Sequence, residues 1–455
     1  MPGPFLGPAA ILPLISLASL LGPGEWHRRV WRLAGPIMIS NVSTPLLGLV
    51  DTAVIGHLDE AHHLGAVAVG ALIFSFLFWT FGFLRMSTTA LVAQAAGADG
   101  RDEIAAILAR ALALAAAIGL LLVLLQQPVG WLAFSIVQSG PDVAEGAATY
   151  FGWRIWSAPA TLANYVVLGC LLGLRRAGLA LCLQLVLNGF NIVLDLILVP
   201  ILGWGVAGVA IASALAEYSA LVVGVTMLVR IVPELPQGIL PERLGDFPAL
   251  GRLIRINFDI LVRTLCLMAG FGLFTAQGAA LGDVTLAANA VLMNLYTLMA
   301  YSLDGFANAA EVLVAGAVGA RDNAAFRASV RTSTVWAAIA AVSFSLAYLA
   351  GGHLLVDLLT SIEPVRAEAK AHLPWMIVQP LFGIWAFQCD GIFIGATRGS
   401  TMRNAMVVSF LVYLGLCWVL VPLLGNHGLW LAFTGLTAMR GLTLGLAYPA
   451  LARSV

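Results

Sequence analysis

The strongest constraint on this chain is a succession of apolar runs, each roughly 20 residues long, the helix length that crosses a bilayer core. They follow one another through most of the 455 residues. Their continuity decides the fold class, because a spanning barrel would be built from short strands of alternating polarity. Charge is also too scarce for an aqueous domain. Only 10% of residues are charged and 60% are hydrophobic, whereas a soluble domain carries about a quarter charged residues. The chain reads as an all-α polytopic membrane protein with the lipid bilayer as its solvent.

Breaks in hydrophobicity predict twelve transmembrane helices, near 31–56, 64–95, 103–126, 146–174, 178–200, 206–230, 253–280, 285–317, 326–350, 367–396, 402–423 and 428–451. Loop charge orients them. Ends on the side of the first N-terminus carry Arg28, Arg29, Arg101, Arg175, Arg176, Arg321 and Arg398, among others. The opposite loops offer "HLDEAHH", "GWG", "LGD" and "GNHG", with Arg366 and Lys370 as their only basic residues. That asymmetry is the positive-inside pattern. It predicts a multi-pass protein of the cytoplasmic (inner) membrane with both termini cytoplasmic. Residues 1–25 read as an N-terminal extension, since Pro4, Pro8 and Pro13 interrupt it and it lacks the basic start of a signal peptide.

The halves resemble each other at one spacing. "LVAQAAGADGRD" (91–102) resembles "LVAGAVGARDN" (313–323), and "LGCLLGLRRAG" (168–178) resembles "DGIFIGATRGS" (390–400). Gly97 falls on Gly319, Gly173 on Gly395 and Pro200 on Pro422, each pair 222 apart (319 − 97, 395 − 173, 422 − 200). Each half holds six spans, so both copies enter the membrane the same way. This is a parallel repeat about an axis along the membrane normal, an architecture used by alternating-access carriers. The expected organisation is an N-lobe at 26–230, a proline-rich cytoplasmic linker at 231–250 and a C-lobe at 251–455.

Charge near the bilayer centre costs about 2.5–3.5 kcal/mol on insertion scales, so each such residue is a functional candidate. In "NGFNIVLD", Asn188, Asn191 and Asp195 share one helix face. Asp51, on the first span after Pro45, is a natural facing partner, and Pro45 can kink its helix. Carboxylates in a dry pocket hold protons more tightly than in water, which is the chemistry of a proton relay. The alternative is plain hydrogen bonding between helices. In the C-terminal half, Asp259 and Arg263 are spaced i, i+4 and read as a structural ion pair. Asp304 and Glu311 share a face and could bind a cationic substrate, form a second protonation site, or simply pack. Arg85 and Met86 lie on the second span, where Met86 joins Phe74, Phe76, Trp79 and Phe81 either as the lining of an apolar cleft or as a lipid-facing or packing stripe. Asp390 is expected to cap its helix or pair with a loop arginine, and Glu217 could bond Arg440 between bundles.

Other chemistries find little support. The 23 basic and 23 acidic residues balance, so nothing points to nucleic acid. Cys170, Cys182, Cys266, Cys389 and Cys417 sit in apolar runs and read as small core residues. His57, His62 and His63 read as a solvated loop, so no metal site is expected. There is no phosphate loop and no nucleophile–base arrangement, which argues against an ATP-driven pump and against an enzyme.

With these residues in view, "PLLGLVDTAVIGHL", "FLRMSTTALVAQAAGA" and "NGFNIVLD" resemble MATE (multidrug and toxic compound extrusion) transporters. "SLDGFANAAEVLVAGAVGARD" and "DGIFIGATRGSTMRN" look like the DinF branch in particular. The resemblance covers about residues 26–453. It implies a twelve-helix, two-lobe carrier that exports organic compounds against inward flow of H⁺ or Na⁺, with no other cofactor. It also implies a cation site at Asp51, Asn191 and Asp195. A hydroxyl on the sixth helix would be Ser213, where Thr is more familiar, and a tyrosine opening the fourth would be Tyr150. Another branch relies on C-lobe acids, but Asp259 is too near its helix end for that mechanism to carry over.

The expected activity is therefore proton-coupled efflux of organic, amphipathic cationic compounds by a monomer. Sodium coupling through the same oxygens is one alternative. A lipid-linked precursor flippase or organic-anion exporter, drawing on Arg85 and Arg263, is another.

Overall fold

The computed structural model of the chain describes residues 24–55, 61–137, 140–238, 243 and 245–455, with the backbone alone at 42, 44–55, 61 and 237. Eleven helices in it are long and apolar enough to cross a membrane, and α1 (Gly24–Ile55) precedes them. In chain order α2 is formed by Ala61–Thr80 and Phe83–Gly97, α3 is Arg101–Leu124, and α4 is Pro141–Arg154 continued by Ala158–Gly173. Next come α5 (Ala177–Leu196) and α6 (Gly205–Ile231). The second half holds α7 (Phe247–Ala280), α8 (Asp283–Gly319), α9 (Asn323–Leu359), α10 (Glu363–Gly395), α11 (Gly399–Leu424) and α12 (Asn426–Arg453).

Several helices outrun their apolar runs, because hydrophobicity marks the lipid-buried part whereas capping sets the ends. The Asp246 carboxylate accepts from the Ala249 N–H at 3.1 Å and starts α7 at Phe247, ahead of the expected 253. Asp322 caps α9 in the same way through Ala325 at 2.9 Å. Large apolar side chains face outward, with Trp418 82% and Leu346 58% exposed, as befits a lipid-facing surface. The cysteines are all free, and Cys182 is exposed rather than in the core.

The repeat is visible in backbone detail. Left-handed residues recur at the same offset: Asp99 (φ 56°) with Arg321 (54°), Arg175 (59°) with Thr397 (52°), and Gly203 (70°) with Gly425 (56°), each 222 apart (321 − 99, 397 − 175, 425 − 203). Close packing recurs as well. A Cβ on Gly173 would meet the Thr89 carbonyl oxygen at 2.8 Å, and one on Gly395 would overlap that of Glu311. The α2–α4 contact of one lobe is thus rebuilt as α8–α10 in the other.

The lobes meet through α1 and α2 against α7, α8, α9 and α10. Their contacts lie between the middle of the spans and the arginine-rich ends. Trp31 of α1 packs edge-on against Phe306 and Trp336, and Trp336 Nε1 donates to His27 Nδ1 at 3.0 Å. Gln94 Nε2 donates to the Gly395 carbonyl at 2.8 Å and to Thr397 Oγ1 at 3.3 Å. The repeat-related glycines meet at the seam, where a Cβ on Gly97 would overlap the Gly316 carbonyl and one on Gly319 that of Gln94.

The segment between the lobes is pinned to α3. Arg243 donates to the Asp102 carbonyl at 3.0 Å, and the buried Arg110 donates from Nε to the Arg243 carbonyl at 2.9 Å. A short helix, Leu235–Gly238, lies against α3 beside Ala105.

Gly97→Val should force the seam apart, since overpacking a tight contact costs about 1–3 kcal/mol. Hydrogen–deuterium exchange in peptides covering 91–98 and 313–320 should accelerate roughly tenfold. Unchanged exchange would show that the seam does not depend on this contact.

Candidate cation and substrate site

Two features shape the outer end of α5. Its apolar run carries the polar stripe, and Pro200 ends it in a π-turn over Ile197–Ile201, a widened turn that follows directly on the stripe. Asn188, Asn191 and Asp195 are all buried, Asp195 completely. Asn191 Nδ2 donates to Asp195 Oδ2 at 3.1 Å and to Ser213 Oγ at 3.4 Å, so α6 closes the pocket that α5 opens. Asn188 Nδ2 donates to Ser43 on α1, 3.2 Å to its hydroxyl. Ser43 lies about two turns before Asp51. The Asp51 backbone is on α1, which packs against α5, while its side chain lies outside the described residues. Tyr150 is buried on α4, its ring 6.1 Å from that of Phe74. Asn191, Asp195 and Ser213 thus form one hydrogen-bonded cluster in the N-lobe, while Asn188, on the same face of α5, bonds α1.

The other interior charges choose partners that residue spacing did not indicate. Asp259 and Arg263 do not form the expected i, i+4 pair. Asp259 accepts from Arg403 of α11 at 2.7 Å, and Arg263 bonds Asp390 of α10. Both side chains leave α7 toward different neighbouring helices, so interhelical contacts outcompete the one along the helix. Among the described residues Asp390 meets no loop arginine; it is shared by Arg263 and, at 3.7 Å, Arg440 of α12. Arg440 is therefore not the partner of Glu217. Glu217 stays within its own lobe, accepting from Asn164 Nδ2 at 2.8 Å and lying 3.5 Å from Arg154.

Arg154, Asn164 and Arg110 are interior groups the sequence reading passed over. Arg154 had a signal, a cation inside the aromatic stretch "YFGWRIW", and its guanidinium lies 5.3 Å from the Phe78 ring centre. Asn164 had none.

The face of α8 toward the N-lobe carries Asp304, Asn308 and Glu311. Asn308 Nδ2 donates to Asp304 Oδ2 at 2.9 Å, and Arg85 Nη1, reaching across from α2, donates to Asn308 Oδ1 at 2.9 Å. Glu311 is 2% exposed, and its Oε1 has no hydrogen-bond partner among the described residues. Met86 is half-buried in the packing between lobes. Asn308 was signalled by its i+4 spacing from Asp304. Phe76 and Trp79 are 41% exposed, whereas Phe74 is buried, so only part of the aromatic run is open to a cleft or to lipid. Among the described residues no cluster of three His, Cys, Asp or Glu is placed to hold a metal.

Two membrane-embedded, repeat-related lobes, each with its own interior polar face, define a multi-pass carrier fold. The chain matches the MatE family over residues 36–197 and 260–419, most of both lobes, and it belongs to that family. It is 45% identical over 422 residues to the DNA damage-inducible protein F of Escherichia coli (strain K12), covering 92% of this chain and 91% of that one. It is also 26% identical over 425 residues to a probable multidrug resistance protein NorM of Caulobacter vibrioides, covering 91% and 87%. Its fold matches a crystal structure of MATE in the bent conformation with a TM-score of 0.84 at 18% identity, over 94% of this chain and 96% of the other. It matches a MATE family transporter in an outward-facing conformation at 0.81 and 18%, again over 94% and 96%. The family is one of transporters, and multidrug resistance proteins are among the relatives.

Removing one member of a buried charge cluster strands the others, at a cost of roughly 3–5 kcal/mol. Asp390→Asn should therefore lower the thermal midpoint of the solubilised protein clearly. Combining it with Arg263→Met and Arg440→Met should recover most of the loss. If the triple variant melts no higher than the single one, the charges matter for something other than their mutual neutralisation.

Proposed function

We propose that this chain is a secondary active efflux antiporter of the inner membrane, with both termini cytoplasmic. It exports organic, amphipathic cationic compounds in exchange for protons by alternating access, acting as a monomer. The single observation that carries the reading is the buried α5 pocket, in which Asn191 joins Asp195 to Ser213, set in a family that includes multidrug resistance proteins. An acid within an apolar span is a functional candidate by default, and such residues form the proton relays of pumps and transporters. Asp51, Asn188 and Tyr150 belong to the same proposed coupling site.

The arrangement of lobe contacts supports a direction. The seam is closed toward the arginine-rich ends, which the positive-inside rule assigns to the cytoplasm. This conformation therefore opens outward, where a proton would be taken up and substrate released. A sodium-coupled version has one observation in its favour: the pocket offers only oxygen ligands, which suit a small hard cation.

The test is efflux of ethidium from liposomes holding purified protein, under an imposed pH gradient without sodium. Wild type should extrude the dye, and Asp51→Asn and Asp195→Asn should reduce the initial rate roughly a hundredfold, the usual weight of a proton-transfer group. Wild-type rates in both variants would remove these carboxylates from coupling. Efflux that begins only when sodium is added would replace the proton by sodium.

A further inference from the structure

The α8 stripe has a property that the antiporter reading does not use. Asp304, Asn308 and Glu311 are spaced i, i+4 and i+7, so they form one face, and that face lies on the seam between lobes. A guanidinium already occupies it. Arg85 belongs to the other lobe, yet its Nη1 donates to Asn308 Oδ1 at 2.9 Å, and Asn308 in turn holds Asp304. The remaining cations near the stripe are committed elsewhere, since Arg263 and Arg440 both engage Asp390. The one guanidinium on the stripe thus bonds the amide between the two carboxylates, and Glu311, 2% exposed, has an Oε1 with no hydrogen-bond partner among the described residues. A face built this way has more capacity for a cation than Arg85 uses.

We propose that the Asp304–Asn308–Glu311 stripe is a binding site for an organic cation and that Arg85 is its tethered competitor. The proposal rests on the antiporter reading and adds to it the place where substrate is taken up. Arg85 is anchored in α2, so it can reach the stripe only while the seam is closed. When the lobes part at the arginine-rich end, the guanidinium leaves with its own lobe. The stripe then faces the opened cleft with two carboxylates and an amide, matched to a cation bearing N–H donors or a diffuse charge. The half-buried Met86, one residue from Arg85, provides apolar surface beside it. Closing the seam brings Arg85 back. An attached cation at high effective concentration outcompetes a free one, so the substrate is released on the side that is then open. Substrate and arginine alternate on the same oxygens, and each closure expels what the opening admitted.

The repeat supports a specialised role for this face. Glu311 is related to Thr89 and Asp304 to Gly82, each by the 222-residue offset (311 − 89, 304 − 82). Thr89 satisfies itself by donating to the Arg85 carbonyl at 2.8 Å. The scaffold therefore does not need an acid at that position, and the C-lobe has one whose Oε1 meets no hydrogen-bond partner among the described residues.

The experiment measures ethidium affinity by fluorescence polarisation and ethidium efflux in liposomes, for wild type and for Arg85→Gln, Arg85→Met, Asp304→Asn and Glu311→Gln. Removing the competitor should tighten binding roughly tenfold while slowing efflux, a split that lost structural support would not produce. Either carboxylate variant should weaken binding roughly tenfold, the weight of a charge-assisted contact, and Glu311→Asp should restore part of it. Monodisperse elution on gel filtration qualifies each variant, and the two arginine substitutions are alternatives should one misfold. If wild type exports ethidium but both arginine variants bind it as weakly as wild type or more so, the competitor role is overturned. If the carboxylate variants bind normally, the stripe is not the site. If wild type neither binds nor exports ethidium, the antiporter reading for organic cations fails, and this proposal fails with it.

Discussion

A charge that cannot reach water must be neutralised where it sits, and the interior of this protein is arranged around that requirement. Arg154, Asn164 and Glu217 join α4 to α6, while Asp390 gathers Arg263 and Arg440 and so draws α7, α10 and α12 together. In lipid there is no hydrophobic drive between helices, so polar contacts and close packing carry more of the association. The arginine-centred clusters lie within single lobes and hold each as a unit. Asp195, which accepts from an amide just before the π-turn, and the α8 acids at the seam stand outside those two clusters.

Rigid lobes are useful only if the surface between them can part. Here the seam joins apolar packing, such as Trp31 against Phe306 and Trp336, to small residues and short polar contacts. Gly97, Gly316 and Gly319 bring backbones together, and Gln94 spans from one lobe to Gly395 and Thr397 of the other. Close approach of this kind is strong while intact and is lost over a small displacement, because dispersion decays within about an ångström of added gap. Such a contact favours two distinct arrangements over a continuum.

Most of the fold was legible in the sequence because its signals are local or periodic. Apolar run length located the helices, and the 222-residue spacing exposed the lobes, down to turn positions such as Asp99 and Arg321 where the backbone is left-handed. The α5 stripe was legible for the same reason, since one helix carries Asn188, Asn191 and Asp195 on one face. Pairing across helices was not. Asp259 and Arg263 are ideally spaced for each other, yet they turn to Arg403 and Asp390, residues more than a hundred positions away (403 − 259, 390 − 263). Which neighbour wins depends on how α7 is rotated against α10 and α11, and helix rotation leaves no mark in spacing. Helix ends were missed by several residues because caps such as Asp246 lie beyond the apolar run that announces the span.

The repeat and its violations do different work. Backbone turns, glycine contacts and the α2–α4 and α8–α10 packings are duplicated, so the two lobes can move against each other about an axis between them with similar contacts on both sides. The interior acids are not duplicated. The N-lobe keeps its amide–acid stripe on α5, whereas the C-lobe carries acids on α8, and Thr89 and Glu311 mark the same point of the scaffold with opposite consequences. Thr89 is satisfied by its own helix, which leaves the N-lobe side of that contact indifferent to whether the seam is open. Glu311 has an Oε1 without a hydrogen-bond partner among the described residues when the seam closes over it, so closure costs desolvation on the C-lobe side. In the proposed cycle a symmetric frame would supply the two end states, and the unmatched acid would make their balance depend on what cation is present to meet it.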